Sequence, residues 1–528
     1  MANVIRVLAG AVAAATIAVA ASAEELKIGI ATEPTSIDPN FYNFPQNHAV
    51  ADHWSETLVL QDNNQRAQPF LAESWRTLPG DDKVWEFKLR RGVKFSDGTP
   101  FTADEVLFTH QYATGIKTGS APGRFQENKK ITKVDDYTLH VTTGTTWPLM
   151  VKEMSMVHIV SRKNGAGKTT EDYNAGRATI GTGPYKFVEW VPGGQIVFEP
   201  NPDYWSNKAK WSKVIFRPIS SDPAWVAALL SGSVDLIDYV PTTDVVTLRA
   251  NPKVTVTEYP SNRVIFFTPD MGRHVSPFVK TNDGKPAFPN PLRDWKVRKA
   301  LSLAIDRKAI AERVMEGTAI PAGQLSPEFI FGSNPNLKPD PYDPEQAKKL
   351  LAEAGYPDGF RLTMHGPNDR YVNDEKVLVT VAQMLARVGI RTEVVALPKA
   401  TYFTRVFRGG EWDLPEFSFF LLGSGSTMGD GGEQIQYSHV TYGIKTNLGV
   451  GNRGRYSNPL VDARIIRSME EVDANKREKL IQEANQIVMD DYAMIPTHFQ
   501  KNLWAHRPDL TYAGHTDERT TAMLVGKK

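Results

Sequence analysis

Between residues 294 and 395 capped helices alternate with single strands, and this alternation narrows the open folds more than any other feature. Asp294 precedes a helix whose Val297, Leu301, Ile305 and Ile310 keep near-helical spacing, and Gly317 stops it. Asp343-Pro344-Glu345-Gln346 sets an N-cap, a first-turn proline and a capping-box partner in a row, with Leu350, Leu351 and Ala354 as the buried face before Gly355. Val377, Val381 and Leu385 repeat the scheme up to Gly389, and 390–395 reads as a strand. Helices interleaved with strands in this way predict α/β lobes with partly parallel sheets.

Nearer the start, 25–31 alternates toward a strand with Leu26, Ile28 and Ile30 on one face, and the Pro-rich 33–45 after it predicts an ordered loop of the kind that lines a site. Trp85, Phe87 and Leu89 alternate with Glu86 and Lys88, which predicts a half-buried strand continuing to Phe95. Thr102 with Glu105 spells a capping box and opens a helix. A chain of 528 residues holds two or three lobes.

Arg6, the apolar run 7–21 and the small-x-small site Ala21-Ser22-Ala23 predict a cleaved export signal over 1–23. The sequence holds no Cys, which excludes a lipid anchor on cysteine, disulfides, thiolate metal sites and Cys nucleophiles. A free periplasmic protein is the expectation. With 61 basic and 60 acidic residues the net charge is +1, so no field gathers nucleic acid or an anionic membrane.

Several stretches resemble one family. They are Leu71-Ala72-Glu73-Ser74-Trp75, the run from Trp85-Glu86-Phe87-Lys88-Leu89 through Phe95-Ser96-Asp97-Gly98, and Phe101-Thr102-Ala103-Asp104-Glu105-Val106. Gly181-Thr182-Gly183-Pro184-Tyr185, Asn201-Pro202-Asp203-Tyr204-Trp205, Val297-Arg298-Lys299-Ala300-Leu301 and Leu350-Leu351-Ala352-Glu353-Ala354-Gly355-Tyr356 follow in the family's order. Together they resemble the family 5 extracellular solute-binding proteins, the peptide, opine, glutathione and nickel receptors of ABC importers.

The resemblance implies an α/β, two-lobed periplasmic binding protein with an extra subdomain and two hinge crossings. It implies lobe one at 24–70, 181–273 and 494–528, an inserted subdomain at 71–180, and lobe two at 274–493. It further implies a periplasmic monomer that captures a di- or oligopeptide by hinge closure and presents it to an inner-membrane ABC permease with its cytoplasmic ATPase. No catalysis, cofactor, metal or nucleic acid is expected. An opine, glutathione or nickel chelate is the alternative solute, and an exported hydrolase is the rival from another class, although no Gly-x-Ser-x-Gly elbow is present.

By the same resemblance, Asp430 is expected to grip a ligand's α-ammonium. Ser424 stands where relatives often carry Trp, and Met428 lies on the same loop. Tyr42, Asn43 and Phe44 occupy the first-lobe loop that lines the cleft in relatives. His48, His53 and His439 are placed near the cleft as lone histidines, without metal-site spacing. The long Pro-rich stretch 271–291 reads as a decorated surface loop, with a hinge as the alternative. Asn164-Gly165-Ala166-Gly167-Lys168-Thr169 mimics a phosphate loop, but Arg162 stands where its first Gly belongs.

Overall fold

The computed structural model describes residues 24–117, 121–407, 416–445 and 448–528. The expected signal segment 1–23 lies outside the described residues. Among those described, no helix is long and apolar enough to cross a membrane.

A mixed sheet of 12 strands organises the molecule. In one half, Glu25–Ile30 lies between Lys213–Pro218 and Leu236–Ile237, parallel to both, with Gln195–Pro200 and Tyr185–Val191 continuing the edge antiparallel. In the other half, Arg361–Pro367 runs parallel to Arg391–Leu397 and to Phe419–Ser424. Two long antiparallel strands, Thr255–Pro269 and Ile495–His506, join the halves. The partly parallel sheet expected from strand-helix alternation is therefore present.

Each half has its own apolar filling. Leu26, Ile28, Phe198, Phe216 and Trp504 pack together on one side; Val297, Leu301, Leu351, Val377, Val381 and Phe419 do so on the other. Alternation explains the first set: Leu26, Ile28 and Ile30 all face inward and are buried. A separate antiparallel sheet of 4 strands, within 72–143, carries a third core of Phe87, Phe95, Phe101, Leu139 and Met150.

Local chemistry sets the element ends. Thr102 and Glu105 form the expected capping box at the start of Ala103–Gly115, and Asp343 caps Pro344–Glu353 by accepting from the Gln346 amide at 2.9 Å. Two elements differ from their sequence reading. The strand Asp81–Leu89 does not continue to Phe95, because Gly92 at φ +78° turns the chain. The helix opened by Asp294 ends at Leu303, and Asp306 caps a fresh turn by accepting from the Ala309 amide at 2.9 Å.

The first joining strand breaks its ladder between Pro260 and Val264. Ser261, Asn262 and Arg263 fill that irregularity, so three polar residues sit where the strand passes from one half to the other. The stretch 271–291 lies beyond it, on the second half, where Val279–Lys280 pairs with Arg361–Pro367 and Ala287 enters the core.

Candidate ligand-binding cleft

Two cavities of about 210 Å³ each open between the halves, and Arg263 and Arg370 line both. The first is walled by Asp238, Tyr239, Thr242 and Glu518 from one half and by Arg370, Tyr371 and Val372 from the other. The second takes Asn43, Phe44 and His48 from the early loop and helix, and Gly425, Ser426 and Thr427 from the loop after Phe419–Ser424.

The expected site residues separate under this geometry. Asn43 and Phe44 line the second cavity, and Tyr42 stands beside them with its ring edge-on to Phe44 at 6.2 Å. Ser424 ends its strand opposite Val264 and accepts from Gln434 Nε2 at 3.3 Å. Met428 is buried with Leu149 and Met156, behind the Met156 side of the second cavity's wall. His48 lines the second cavity and meets Asn43 Oδ1 through Nε2 at 2.8 Å. His53 is a core residue whose ring meets the Ala49 carbonyl and the Ala522 amide, and His439 is buried beside Ser438. Asp413, Leu414 and Pro415, upstream of the strand Phe419–Ser424, lie outside the described residues.

Asp430 is 0% exposed, and both its carboxylate oxygens are taken by the protein. Arg477 grips them as a fork at 2.7 and 3.0 Å, Lys152 adds a third contact at 3.2 Å, and the Glu433 amide donates at 3.2 Å as the helix cap. Burial opposes ionisation most strongly, yet Arg477 and then Lys152 outweigh it and hold this carboxyl well below the usual carboxylate range. In this arrangement neither oxygen remains for the ligand ammonium expected there. Asp430 instead joins Arg477 to Lys152, which comes from the short helix Met150–Glu153 beside the 4-stranded sheet.

The cavity loop itself is pinned from the opposite half. Gln65 Nε2 donates to the carbonyls of Ser426 and Thr427 at 2.9 and 3.2 Å, and Asn262 Nδ2 donates to the Ser426 carbonyl at 2.8 Å and to Gln65 Oε1 at 2.6 Å. This close approach accounts for the glycines. A Cβ on Gly425 would lie 2.6 Å from Asn262 Oδ1, and one on Gly429, already at φ +64°, would lie 2.5 Å from the Gln65 carbonyl.

Sequence reasoning missed the charged groups of the cleft. Arg263 donates to Glu518 Oε1 from Nε and Nη2 at 3.1 and 3.0 Å. Arg519 bridges Asp517 at 2.8 Å and Asp52 at 3.4 Å. Arg370 lies over the Tyr371 ring at 5.2 Å and, among the described residues, makes no ion pair within 4 Å. Burial, and after it the nearby Arg263 charge, push its guanidinium below the ordinary value. A polar triplet breaking an apolar strand, Ser261-Asn262-Arg263 before Val264-Ile265-Phe266-Phe267, was the readable signal for Arg263. No such signal marks Arg370, which sits in the loop after Arg361–Pro367.

Such a cleft binds a small polar solute: it offers guanidinium and carboxylate groups and loop backbone drawn from both halves. Among the described residues no group of three or more His, Asp or Glu is placed to hold a metal ion.

Comparison with known proteins agrees with this geometry. The family model described as bacterial extracellular solute-binding proteins, family 5 Middle, matches residues 66–438. Heme-binding protein A of Haemophilus influenzae is 28% identical over 471 residues, covering 84% of this chain and 81% of its own. The glutathione-binding protein GsiB of Escherichia coli K12 is 27% identical over 501 residues, covering 93% and 92%. Among solved structures, the periplasmic binding protein DppA of Helicobacter pylori, in complex with the peptide STSA, superposes with a TM-score of 0.72 at 22% identity, covering 95% of this chain and 98% of that one.

Proposed function

The chain belongs to the family 5 bacterial extracellular solute-binding proteins, two-lobed receptors of ABC importers, and on that premise we propose that it captures a short peptide between its lobes in the periplasm and hands it to an inner-membrane permease. The ligands named for its relatives, heme, glutathione and a peptide, differ, so the solute follows from this chain's own cleft.

One observation carries the peptide reading. The Arg370 guanidinium lines both cavities and, among the described residues, has no ion-pair partner, and a buried cation of this kind gains most from a carboxylate that replaces the water expelled on closure. A peptide supplies that carboxylate at its C-terminus. Its side chains would lie toward Phe44, Tyr239 and Tyr371, whose rings give apolar surface, with hydroxyls at the two tyrosines.

The two joining strands supply the hinge of this mechanism. Bending is placed at the ladder break between Pro260 and Val264, where few backbone bonds resist a change in φ and ψ. Lobe one then comprises the half with Glu25–Ile30, lobe two the half with Arg361–Pro367, and the 4-stranded subdomain rides with lobe one. The closed shape is what the permease recognises.

A thermal-shift screen of the mature chain against di- to pentapeptides, glutathione, heme, opines and nickel chelates tests the reading. A ligand that binds only the native state raises stability by about 2.7 kcal/mol at a hundred times its dissociation constant. Stabilisation by peptides supports the proposal; stabilisation by heme or a chelate alone replaces the peptide and leaves the receptor.

A further inference from the structure

Asp238 is a second ionisable group in the first cavity that, among the described residues, has no counter-ion. It follows the strand Leu236–Ile237, whose neighbour Glu25–Ile30 runs parallel to it, and its Oδ1 accepts from the Ala31 amide just past the end of that neighbour at 2.8 Å. The carboxylate therefore stands outside the C-terminal ends of two adjacent parallel strands, where open α/β sheets place their ligands. It lines the first cavity on the wall opposite Arg370 and also faces a small adjoining pocket with Gln46 and Thr520. Among the described residues no Lys, Arg or His nitrogen forms an ion pair with it within 4 Å.

The other charged groups around this cavity are already matched. Arg263 holds Glu518, and Lys501 holds Glu258 at 2.8 Å. Asp238 on one wall and Arg370 on the other are left as an unmatched anion and an unmatched cation. A solute carrying both an ammonium and a carboxylate complements that pair, and Asp430, engaged by Arg477 and Lys152, does not compete for the ammonium.

We propose that Asp238 is the residue that receives the cationic amino group of the captured solute. This assignment rests on the peptide reading above and sharpens it to ligands with a free ammonium. Burial, with Glu518 adding to it, raises the Asp238 carboxyl to about 7, and a docked ammonium would reverse that by favouring the ionised form. The groups that face it are Glu518 with its Arg263, the Ala31 amide, and the phenols of Tyr239 and Tyr512. Only the ionised carboxylate attracts an ammonium, so binding weakens as pH falls through about 7.

Titration calorimetry with di- to pentapeptides and their N-acetylated counterparts, at acidic and near-neutral pH, tests the assignment. The wild type should bind free-amine peptides roughly 30-fold or more tighter than the acetylated ones, and tighter at the higher pH. Asp238→Asn should lose that preference and its pH dependence. The acetylation contrast is read on the wild type, so it stands even where the variant folds poorly. Equal binding of both peptide forms, or a folded Asp238→Asn that binds as the wild type does, overturns the assignment and leaves the peptide receptor intact. No binding of any peptide to the wild type overturns the peptide reading and this assignment with it.

Discussion

Lys152 reaches Asp430 Oδ2 at 3.2 Å and the Gly429 carbonyl at 2.8 Å, tying the helix beside the 4-stranded sheet to the cavity loop of the opposite half. Asp430 is fully buried, and Phe331 lies under the ammonium at 5.0 Å. The contact therefore forms away from bulk water, where it is little screened.

Replacing Lys152 with Met removes one charged hydrogen bond and leaves Asp430 its Arg477 fork. The expected cost is about 1–3 kcal/mol, borne by the contact between the halves. Small-angle scattering of the ligand-free protein should show a larger radius of gyration for Lys152→Met than for the wild type.

Arg477→Met removes the larger partner and leaves a buried carboxylate with Lys152 alone. Breaking a buried pair from one side typically costs about 3–5 kcal/mol, and urea denaturation should show a loss of that order. Acid acts on the same site. The folded pKa of Asp430 is depressed below its ordinary 3.8, so the stability it contributes is present above that value and is lost as pH falls below it.

Glu433 behaves in the opposite sense. It accepts from Ser426 Oγ at 2.9 Å and from the Met428 amide at 3.3 Å, and burial, with Asp430 adding, raises its carboxyl from 4.5 to about 7. A raised folded pKa means that stability falls as pH rises from 4.5 to about 7. Glu433→Gln keeps an acceptor without the charge, so it should stabilise the protein by about 1–2 kcal/mol in mildly alkaline buffer and hardly at all near the lower value. Thermal melts across that range check the crossover.

Gly429→Ala should weaken ligand binding more than it lowers stability. The added Cβ meets the Gln65 carbonyl at 2.5 Å, across the boundary between the halves, so the clash opposes closure while an open form relieves it. The residue also loses about 1 kcal/mol or more at its positive φ. Comparing the melting temperature of the free protein with its ligand-induced rise separates the two effects.

Arg370→Gln should cost roughly 2–5 kcal/mol of affinity for a peptide with a free C-terminal carboxylate and little for the same peptide amidated. The Arg370 side chain makes no ion pair among the described residues, so the variant should fold with nearly wild-type stability. Calorimetry with the two peptide forms distinguishes a carboxylate contact from a general loss of binding.

Much of the scaffold was legible because its signals are local. The capping box at Thr102 and the cap at Asp343, the alternation of Leu26, Ile28 and Ile30, and the helix face of Val377, Val381 and Leu385 each depend on neighbours a few residues away. The cleft was harder to read. Asn43 and Phe44 reached it as expected of their loop, while Met428, on an equally promising loop, turned into a core with Leu149 and Met156.

From the sequence alone follow the α/β class, the family resemblance and the loops near the cleft, since periodicity, caps and glycines act over one or two turns of chain. Which charges are free was decided only by the tertiary structure. Asp430 looks like an available carboxylate until Arg477 and Lys152, 47 and 278 residues away, converge on it, whereas Asp238 and Arg370 look ordinary until the fold leaves each beside a cavity with no counter-ion among the described residues. Electrostatic availability depends on every charge within a few ångströms, and in a chain folded across two joining strands those charges come from segments far apart in sequence.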